Sequence, residues 1–490
     1  YTYDVEYNLI RKARFVVCGY SQRPKLDYDE TYAPTTTSTV TNIICQLSVI
    51  LGYFMATFDV KAAFLEGTAD KRLFARIPAA IDPKMTRVEI IGNWYGLKQG
   101  PKIWNDQFNA ILIKLLFTRC PVHPCLYTRL KNDVFIALGV HVDDGLMGCS
   151  TDDGIKDFEI EFAQHVRAVT FTREIQKFTG TTMDIDMANR VIELSHSVYI
   201  ESKFPGPRKL RHVPMDSKLN LRAAAPNPEN PSLLSDTGTY RFIADRARPD
   251  ILAAVGELST GGAKGPSDLH IEASEFLKDY LASTPHLSVR LGGLGKLLIF
   301  AYSDASYVTD GDYKSRFGGC VFMNLYSGAI FSFSWNDTRR NLLAKLLSAL
   351  SHSSTESEIK ALDVLILELL HILEITEFIV GEQELPIKIY CDNKSAGLLF
   401  ATLKCTNRVK HINIHAIREL ILEGLIAVHF VPTKWNVADI LTKPLARPQF
   451  EYLRGILMQG HGGIVPSWAK FESHETHMAL TALSILEIEA

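Results

Sequence analysis

The 490-residue sequence lacks the features that define several classes of protein. Its eight cysteines form no CxxC pair, which argues against a zinc site or a disulfide framework and favours a reducing compartment. Its apolar runs are short or broken by charge, so no membrane-spanning segment is predicted. The chain has neither an initiator methionine nor the apolar core of a signal peptide. We therefore expect it to be a segment of a longer chain, without a membrane partner.

The sequence also lacks a strong excess of basic residues. Its net charge is −3, with 47% apolar and 22% charged residues, values typical of a soluble globular protein with two or three domains. This balance argues mildly against an enzyme that binds nucleic acid. Basic residues do cluster near the N-terminus, between Arg11 and Lys25, but such a cluster alone is more often a solvated surface.

Apolar periodicity predicts an α+β arrangement in the first part of the chain. The predicted elements are strands at 13–20, 54–60, 134–142 and 145–149, and helices at 38–54 and 100–117. Residues 205–238 are rich in Pro, Asn and Ser, which is typical of a connecting segment, and 239–284 are helical in pattern. From about 297 the order β-β-β-α-β-α-β-α predicts a mixed α/β domain. No element is predicted after 451.

Carboxylates stand at the ends of two predicted strands in the first part. Asp59 ends one strand, and the pair Asp143–Asp144 lies between two others. Clustered carboxylates repel one another unless a cation lies between them, and hard oxygen ligands suit Mg²⁺. Two such ions about 4 Å apart stabilise the attacking and leaving oxygens of nucleotidyl transfer. Aspartate is also favoured in hairpin turns, so a purely structural role for Asp143–Asp144 stays open.

Four more acids fall on separate elements of the second part. Asp304 lies in a strand, Glu356 and Asp439 lie at helix starts, and Asp392 ends a strand. Together they could converge on a second metal pair. Taken singly, Glu356 and Asp439 are also explained as acids at helix N-termini, and Asp392 as a cap.

The phrases around these acids resemble, in order and spacing, the Pol polyproteins of copia-type LTR retrotransposons over about 450 residues. Six motifs resemble the reverse transcriptase: "RKARFVVCGYSQ", "DYDETYAP", "FDVKAAFLEG", "YGLKQGPKIWNDQF", "HPCLY" and "VHVDDGLMG". Six more resemble the connection and ribonuclease H regions: "RPDILAAVGELS", "YSDAS", "SSTESE", "IYCDNKSA", "VKHINIHAIRE" and "VPTKWNVADILTKPL".

The resemblance implies a multidomain α/β and α+β fold, a right-hand polymerase followed by an RNase H-like α/β domain. Its segments would be fingers and palm at 1–204, thumb or connection at 205–296, the RNase H-like domain at 297–450 and a C-terminal tail at 451–490. The implied partners are an RNA template, a DNA primer, RNA–DNA hybrids, dNTPs, and the protease and integrase upstream in the same polyprotein. The implied location is the cytoplasm, in a virus-like particle, with the nucleus as an alternative.

The resemblance also assigns roles in the polymerase to individual residues. Two Mg²⁺ ions, with Mn²⁺ as an alternative, would be held by Asp59, Asp143 and the Val60 carbonyl, and Asp144 would complete the triad less directly. The residues implied for the incoming nucleotide and template base are Lys12 and Arg14 on the triphosphate, Phe64 against a ribose 2′-hydroxyl, and Gln99 and Gly100.

In the RNase H-like domain the resemblance implies a second two-metal site at Asp304, Glu356, Asp392 and Asp439. Glu356 is preferred to Glu358 because the family's acid follows Thr.

The sequence departs from the family pattern at four places. His141 replaces a tyrosine before Val-Asp-Asp; about ten residues are missing between 241 and 247, and about two within 410–419; and extra residues lie between Trp335 and Ser353. These departures keep an alternative open, a degenerate relic that at most binds nucleic acid. A different two-metal nuclease or phosphohydrolase is a third reading, which leaves the fingers motifs and Gln99 without a role.

Overall fold

The computed structural model describes residues 2–3, 9–10, 16–77, 84, 87–206, 208–221, 224–262, 265–306, 315–336, 354–394 and 414–462. The chain forms two units. The first comprises residues 1–40 and 53–174, and the second comprises 41–52 and 175–490.

The first unit is built on a six-stranded antiparallel sheet, sheet A. Its strands, in spatial order, are Val169–Thr172, Phe54–Val60, Asp144–Cys149, Val134–His141, Leu126–Lys131 and Thr118–Arg119. The buried apolar side chains of its central strands include Phe58, Ile136 and Leu146.

Helices Gly100–Lys114 and Asp152–Ala163 supply the core that covers one face of sheet A. Phe58 lies at the centre of this core, within ring contact of Phe108, Phe158 and Phe162. Phe58 is paired with Gly145 across the strands, and a Cβ there would lie 2.2 Å from the Phe58 ring. Glycine therefore lets the aromatic core approach the strand that begins at Asp144.

The first unit also contains a two-stranded hairpin, which pairs Thr68–Arg76 with Arg87–Gly92. Its buried face packs Leu73, Ala75 and Ile90 against Leu97. A short pair of strands, Thr2–Tyr3 with Leu9–Ile10, lies at the N-terminus, and a 3₁₀ turn covers Gly19–Ser21.

The second unit begins with a four-stranded antiparallel sheet, sheet B, and a helical layer. The strands of sheet B are Lys177–Phe178, Thr181–Asp186, Val191–Ser195 and Ser288–Gly292. The helices are Ser197–Lys203, Leu234–Ala244, Leu252–Leu258 and Asp268–Ser283. Helix Ser38–Leu51 also packs here from residue 41 onward. Its Asn42 side chain donates to the Ile330 carbonyl at 2.9 Å, and its Gln46 accepts from the Gly292 amide at 2.6 Å.

The rest of the second unit is a mixed five-stranded sheet, sheet C. In spatial order its strands are Phe331–Asn336, Arg316–Phe322, Phe300–Ser306, Ile387–Cys391 and Ile426–Phe430. The first three strands are antiparallel, and the last two run parallel to Phe300–Ser306. Helix Ser354–Val380 crosses between the two parts of the sheet, and helices Ile414–Leu422, Asp439–Thr442 and Arg447–Gln459 complete the layer.

The predicted fold class is confirmed. An antiparallel α+β unit precedes a mixed α/β sheet, the order expected for a polymerase followed by an RNase H-like domain. The four predicted segments divide the chain more finely than the two units do, and they stay a prediction.

Two details differ from the prediction. Residues 16–18, within the predicted strand at 13–20, are irregular, because Val17 bonds the Tyr95 carbonyl in a loop rather than in a ladder. Helix Arg447–Gln459, which runs on past 451, was not predicted. Within the described ranges, no helix combines the length and apolarity required to span a bilayer.

Candidate active sites

The first candidate site lies where sheet A brings two aspartates face to face. Asp59, near the end of Phe54–Val60, is directly paired with Asp144, the first residue of the adjacent antiparallel strand. Cross-strand partners have side chains on the same face of a sheet. Asp143 lies in the two-residue turn before Asp144, and His141, which replaces the family's tyrosine, is the cross-strand partner of Asp144 on the other side. The structure therefore gathers the three predicted acids at one end of the sheet.

The turn that carries Asp143 is held in an uncommon conformation. Val142 has a φ of 60°, in the left-handed region that β-branched residues rarely adopt. Two contacts fix it: the Trp104 indole N–H donates to the Val142 carbonyl at 2.7 Å, and the Val60 amide donates to the Asp143 carbonyl at 2.9 Å. The helix and the neighbouring strand thus set the position of the acid.

Charge at this site is only partly balanced. Lys61 forms an ion pair with Asp59, whose side chain is 40% exposed. Burial, together with the nearby charges of Asp143 and Asp59, raises the pKa of Asp144 to about 6, although Lys61 opposes the rise. Three carboxylates facing one lysine leave an excess of negative charge that suits a cation.

The predicted nucleotide-site residues are found in different environments. Phe64 is half-buried in the turn Ala63–Glu66 and makes an edge contact with Tyr95, with ring centres 5.5 Å apart. Val60 is buried beside the acids. Lys12 and Arg14 lie outside the described residues.

Gln99 and Gly100 lie at the start of a helix, in a densely bonded segment. The Gln99 side chain is 1% exposed and bonds the side chains of Gln22 and Asp70 and the Asp27 carbonyl, at 3.0 to 3.1 Å. Its amide group is fully engaged inside the protein. The side chain therefore anchors this segment to the residues around it.

The second candidate site lies at one edge of sheet C. Asp304 lies in Phe300–Ser306, Asp392 follows the parallel strand Ile387–Cys391, and Asp439 begins a short helix. Ligand oxygens of these three acids all lie within 4.8 Å of one another. The Asp439 helix approaches this closely because it crosses Gly318, the partner of Asp304, where a Cβ would lie 2.6 Å from the Thr442 side chain.

The preference for Glu356 stays a prediction, but the glutamate that the structure brings close to the acids is Glu358. Glu358 forms a second close group with Cys391 and Asp392. Burial, together with Asp304 and Asp392, raises the pKa of Glu358 to about 10. Glu356 instead forms an ion pair with Lys360 at 3.2 Å. Side chains two residues apart on a helix point about 200° away from each other, so only one of the two glutamates can face the sheet.

A lysine that was not predicted lies inside the second acidic cluster. Lys443 is 2.9 Å from Asp439 and 3.7 Å from Asp304. Burial lowers the pKa of Lys443, but Asp304 and Asp439 raise it more, so the ammonium group stays charged. Thr442 donates a short hydrogen bond to Asp304. These neighbours orient the carboxylates and offset part of their repulsion.

The remaining charge fits a divalent cation. Burial raises the pKa of Asp439 to about 8, with Asp304 adding to the rise and Lys443 opposing it. Burial and Asp304 likewise raise the pKa of Asp392. One lysine does not neutralise four acids, and a set of carboxylate oxygens within 4.8 Å is the donor set that Mg²⁺ or Mn²⁺ takes. Among the described residues, the three aspartates of the first site do not form such a close group.

Signals in the sequence could have identified the missed residues. Glu358, Leu362 and Leu365 follow helical spacing, and the two leucines are fully buried. Glu356, Lys360 and Asp363 follow the same spacing on a polar stripe. Lys443 lies one helical turn after Asp439, the spacing at which opposite charges meet. By contrast, nothing local marks Trp104 as the partner of Val142, because that contact is tertiary.

Comparison with known proteins agrees with this layout. Residues 3–204 match the family model described as reverse transcriptase (RNA-dependent DNA polymerase). The chain is 29% identical over 459 residues to the retrovirus-related Pol polyprotein from transposon RE1 of Arabidopsis thaliana, covering 90% of this chain and 30% of that protein. It is 27% identical over 475 residues to the retrovirus-related Pol polyprotein from transposon TNT 1-94 of Nicotiana tabacum, and the match covers 93% of this chain and 34% of that protein. The chain thus spans about a third of the length of these curated relatives.

A solved structure of the foamy viral protease-reverse transcriptase in complex with RNA/DNA hybrid aligns with a TM-score of 0.46 at 12% identity, covering 82% of this chain and 46% of that chain. A reverse transcriptase domain implies the use of a divalent metal. The resemblance predicted from the sequence is confirmed: the chain is similar over most of its length to Pol polyproteins of copia-type retrotransposons, and residues 3–204 match the reverse transcriptase family model.

Proposed function

We propose that this chain is an RNA-directed DNA polymerase that also cleaves the RNA strand of RNA–DNA hybrids. Its substrates are an RNA template, a DNA primer and dNTPs. The observation that carries the polymerase assignment is the direct pairing of Asp59 with Asp144 beside the Asp143 turn, in a segment that matches reverse transcriptases. The convergence of acids on adjacent strands supports a metal-binding role, which metal-dependent nucleotidyl transfer requires, over a purely turn-forming one.

In the polymerase site, Asp59, Asp143 and the Val60 carbonyl hold two Mg²⁺ ions, with Mn²⁺ as an alternative. The bound ions stabilise the charge that develops on the attacking 3′-oxygen and the leaving pyrophosphate. Asp144 acts less directly, in keeping with its raised pKa. Phe64 excludes a ribose 2′-hydroxyl by sterics, Lys12 and Arg14 bind the triphosphate, and the segment of Gln99 and Gly100 lies against the nascent base pair.

In the nuclease site, Asp304, Glu358, Asp392 and Asp439 hold the second pair of ions. The close oxygens of the three aspartates and the face that Glu358 presents to them support this assignment. RNA–DNA hybrids are recognised by backbone shape and 2′-hydroxyls, so little sequence preference is expected.

The chain works as part of a longer polyprotein, because it spans only about a third of its relatives. We place a protease and an integrase upstream of it, and reverse transcription in a cytoplasmic virus-like particle, with the nucleus as the alternative site.

Extension of an oligo-dT primer on poly-rA with Mg²⁺ tests the proposed polymerase. The parent chain is expected to extend the primer. Asp143→Asn keeps the shape of the side chain but removes the charge that holds the ion, so its rate should fall by several orders of magnitude. Absence of extension by a folded parent would favour the non-catalytic relic, and equal rates for parent and variant would remove Asp143 from the site.

A further inference from the structure

The hairpin of the first unit exposes a face that the polymerase assignment leaves unused. Phe74 pairs with Glu89, and Arg76 with Arg87, so these side chains lie on one face. Arg72 and Ile91 continue that face along the two strands. The six residues, which we call the hairpin face, are exposed, whereas the opposite face is buried against Leu97.

The charge of the hairpin face is unbalanced. Arg72 is neutralised by Glu89, with Nε and Oε1 2.8 Å apart. Arg76 and Arg87 lie directly opposite each other, and neither forms an ion pair with a described residue. Like charges in directly opposite positions destabilise a strand pair. Among the described residues, the positive charge of this small surface is thus only partly compensated, although the chain as a whole has a net charge of −3.

Two large apolar side chains stand among these arginines. Phe74 is 58% exposed and Ile91 is 82% exposed. The Arg72 guanidinium lies 5.3 Å from the centre of the Phe74 ring. Aromatic rings interleaved with guanidinium groups form a platform on which an unpaired base can stack while phosphates bind nearby.

We propose that the hairpin face binds single-stranded RNA, with phosphates at Arg76 and Arg87 and a base stacked on Phe74. Identifying that RNA as the unpaired template rests on the proposed polymerase function. The face begins just after the turn Ala63–Glu66 that carries Phe64, so it belongs to the same unit as the polymerase acids.

Two other occupants fit the face less well. A symmetric contact with a second copy would bring arginines against arginines, because a two-fold interface is self-complementary. A duplex keeps its bases stacked inside, so it would leave the Phe74 ring without a base to stack on.

Fluorescence anisotropy with labelled oligo-rU tests the proposal on the full chain. The titrations omit Mg²⁺ and dNTPs, so that catalysis cannot affect binding, and are repeated at several salt concentrations. The variant Arg76→Gln/Arg87→Gln is compared with Lys114→Gln/Lys218→Gln, which removes the same charge from two exposed lysines elsewhere. The slope of log affinity against log salt should fall by about 0.7 for each lost phosphate contact in the arginine variant, and stay near the parent slope in the lysine variant.

A second pair of variants tests stacking. Phe74→Ala should weaken binding about 5- to 150-fold, the loss expected for one stacked base. The control is Leu130→Ala, which removes a side chain that is 71% exposed on sheet A. Equal losses in variant and control, or binding of poly-glutamate in place of RNA, would overturn the proposal.

Primer extension by the same preparations separates this proposal from the polymerase assignment. RNA binding that depends on Arg76 and Arg87, without primer extension, would support the RNA-binding role of the hairpin face and count against the polymerase activity. Primer extension by a parent chain whose RNA affinity does not depend on the hairpin face would support the polymerase activity and overturn the RNA-binding role of the face.

Discussion

The indole N–H of Trp104 donates a 2.7 Å hydrogen bond to the carbonyl of Val142, the residue before Asp143. Trp104 is 1% exposed and lies on helix Gly100–Lys114, whereas Val142 has a φ of 60° in the turn. A helix in the core therefore holds a strained turn in place, and this turn sets the position of Asp143.

Trp104→Phe should slow primer extension about 10- to 100-fold, because a small displacement of a reacting group is costly to the rate. The concentration of Mg²⁺ needed for half-maximal extension should rise as well. Tyr127→Phe is the control, since it removes a 3.1 Å bond to Asn109 in the same core without touching the turn. A Trp104→Phe protein with the parent rate and the parent Mg²⁺ requirement would show that the bond does not position Asp143.

Glu358→Gln should reduce cleavage of RNA in a labelled hybrid by about two to three orders of magnitude, because it removes charge directed at the metal site. Glu356→Gln should stay within a few-fold of the parent, since Glu356 is paired with Lys360. The two variants are measured side by side in the full chain. A larger loss of cleavage in Glu356→Gln than in Glu358→Gln would restore Glu356 as the fourth acid.

Phe64→Ala should admit ribonucleotides, because it opens space where a 2′-hydroxyl would sit. The readout is the ratio of dNTP to rNTP incorporation efficiencies, which should fall. Leu65→Ala changes the neighbouring residue of the same turn and should leave the ratio near that of the parent. An unchanged ratio in Phe64→Ala would exclude the steric role.

The acids of the nuclease site should make stability depend on pH and metal. Burial and neighbouring acids raise the pKa of Asp439 to about 8 and of Glu358 to about 10, against about 4 in the unfolded chain. The folded state thus keeps protons that the unfolded state releases, so this contribution to stability is lost as pH rises from about 4 towards 8.

Without divalent ions, the melting temperature should therefore fall between pH 5 and 8, and Mg²⁺ should raise it more at pH 8 than at pH 5. The variant Asp304→Asn/Asp439→Asn removes two repelling charges and should show a smaller pH dependence and little response to Mg²⁺. A parent whose Mg²⁺ response is the same at both pH values would contradict the link between the cluster and the ion.

The buried pair Arg248–Asp250 should be a main determinant of the second unit's stability. Both side chains are fully buried, joined by two 2.9 Å bonds, and Tyr280 donates to Asp250 at 2.6 Å. Asp250→Asn leaves the arginine's charge unpaired and should cost about 3–5 kcal/mol in urea unfolding. Asp245→Asn breaks the exposed pair with Arg241 and should cost at most about 1 kcal/mol. Similar losses in the two variants would refute the role given to burial.

The elements that could be predicted from the sequence are those that local pattern specifies. Strand Phe54–Val60 was predicted with the observed bounds, because an apolar, β-prone run lies between a glycine turn and a lysine. The turn at Asp143 was predicted because Asp and Gly are favoured in hairpin turns. Which glutamate faces the nuclease acids depends on the rotation of helix Ser354–Val380, which a motif does not specify.

The contacts that orient the acids were not predicted. The bond from Trp104 to Val142 spans 38 positions, and Thr442 reaches Asp304 across 138. No pattern within a short window reports such pairs. The acids themselves were found because strand ends gather at one edge of a sheet, whereas the groups that orient them come from elsewhere in the chain.

The position of helix Ser38–Leu51 shows that the residues matched by the reverse transcriptase family model do not coincide with one folded unit. Residues 3–204 match a reverse transcriptase, yet from residue 41 this helix bonds Ile330 and Gly292. Its side chains at Ile43, Ile44 and Val49 are at most 1% exposed. A fragment cut at the recognised boundary would present that apolar helix to water without its partners. Cleavage of the chain between 204 and 330 would therefore expose this helix unless both pieces stayed bound to each other.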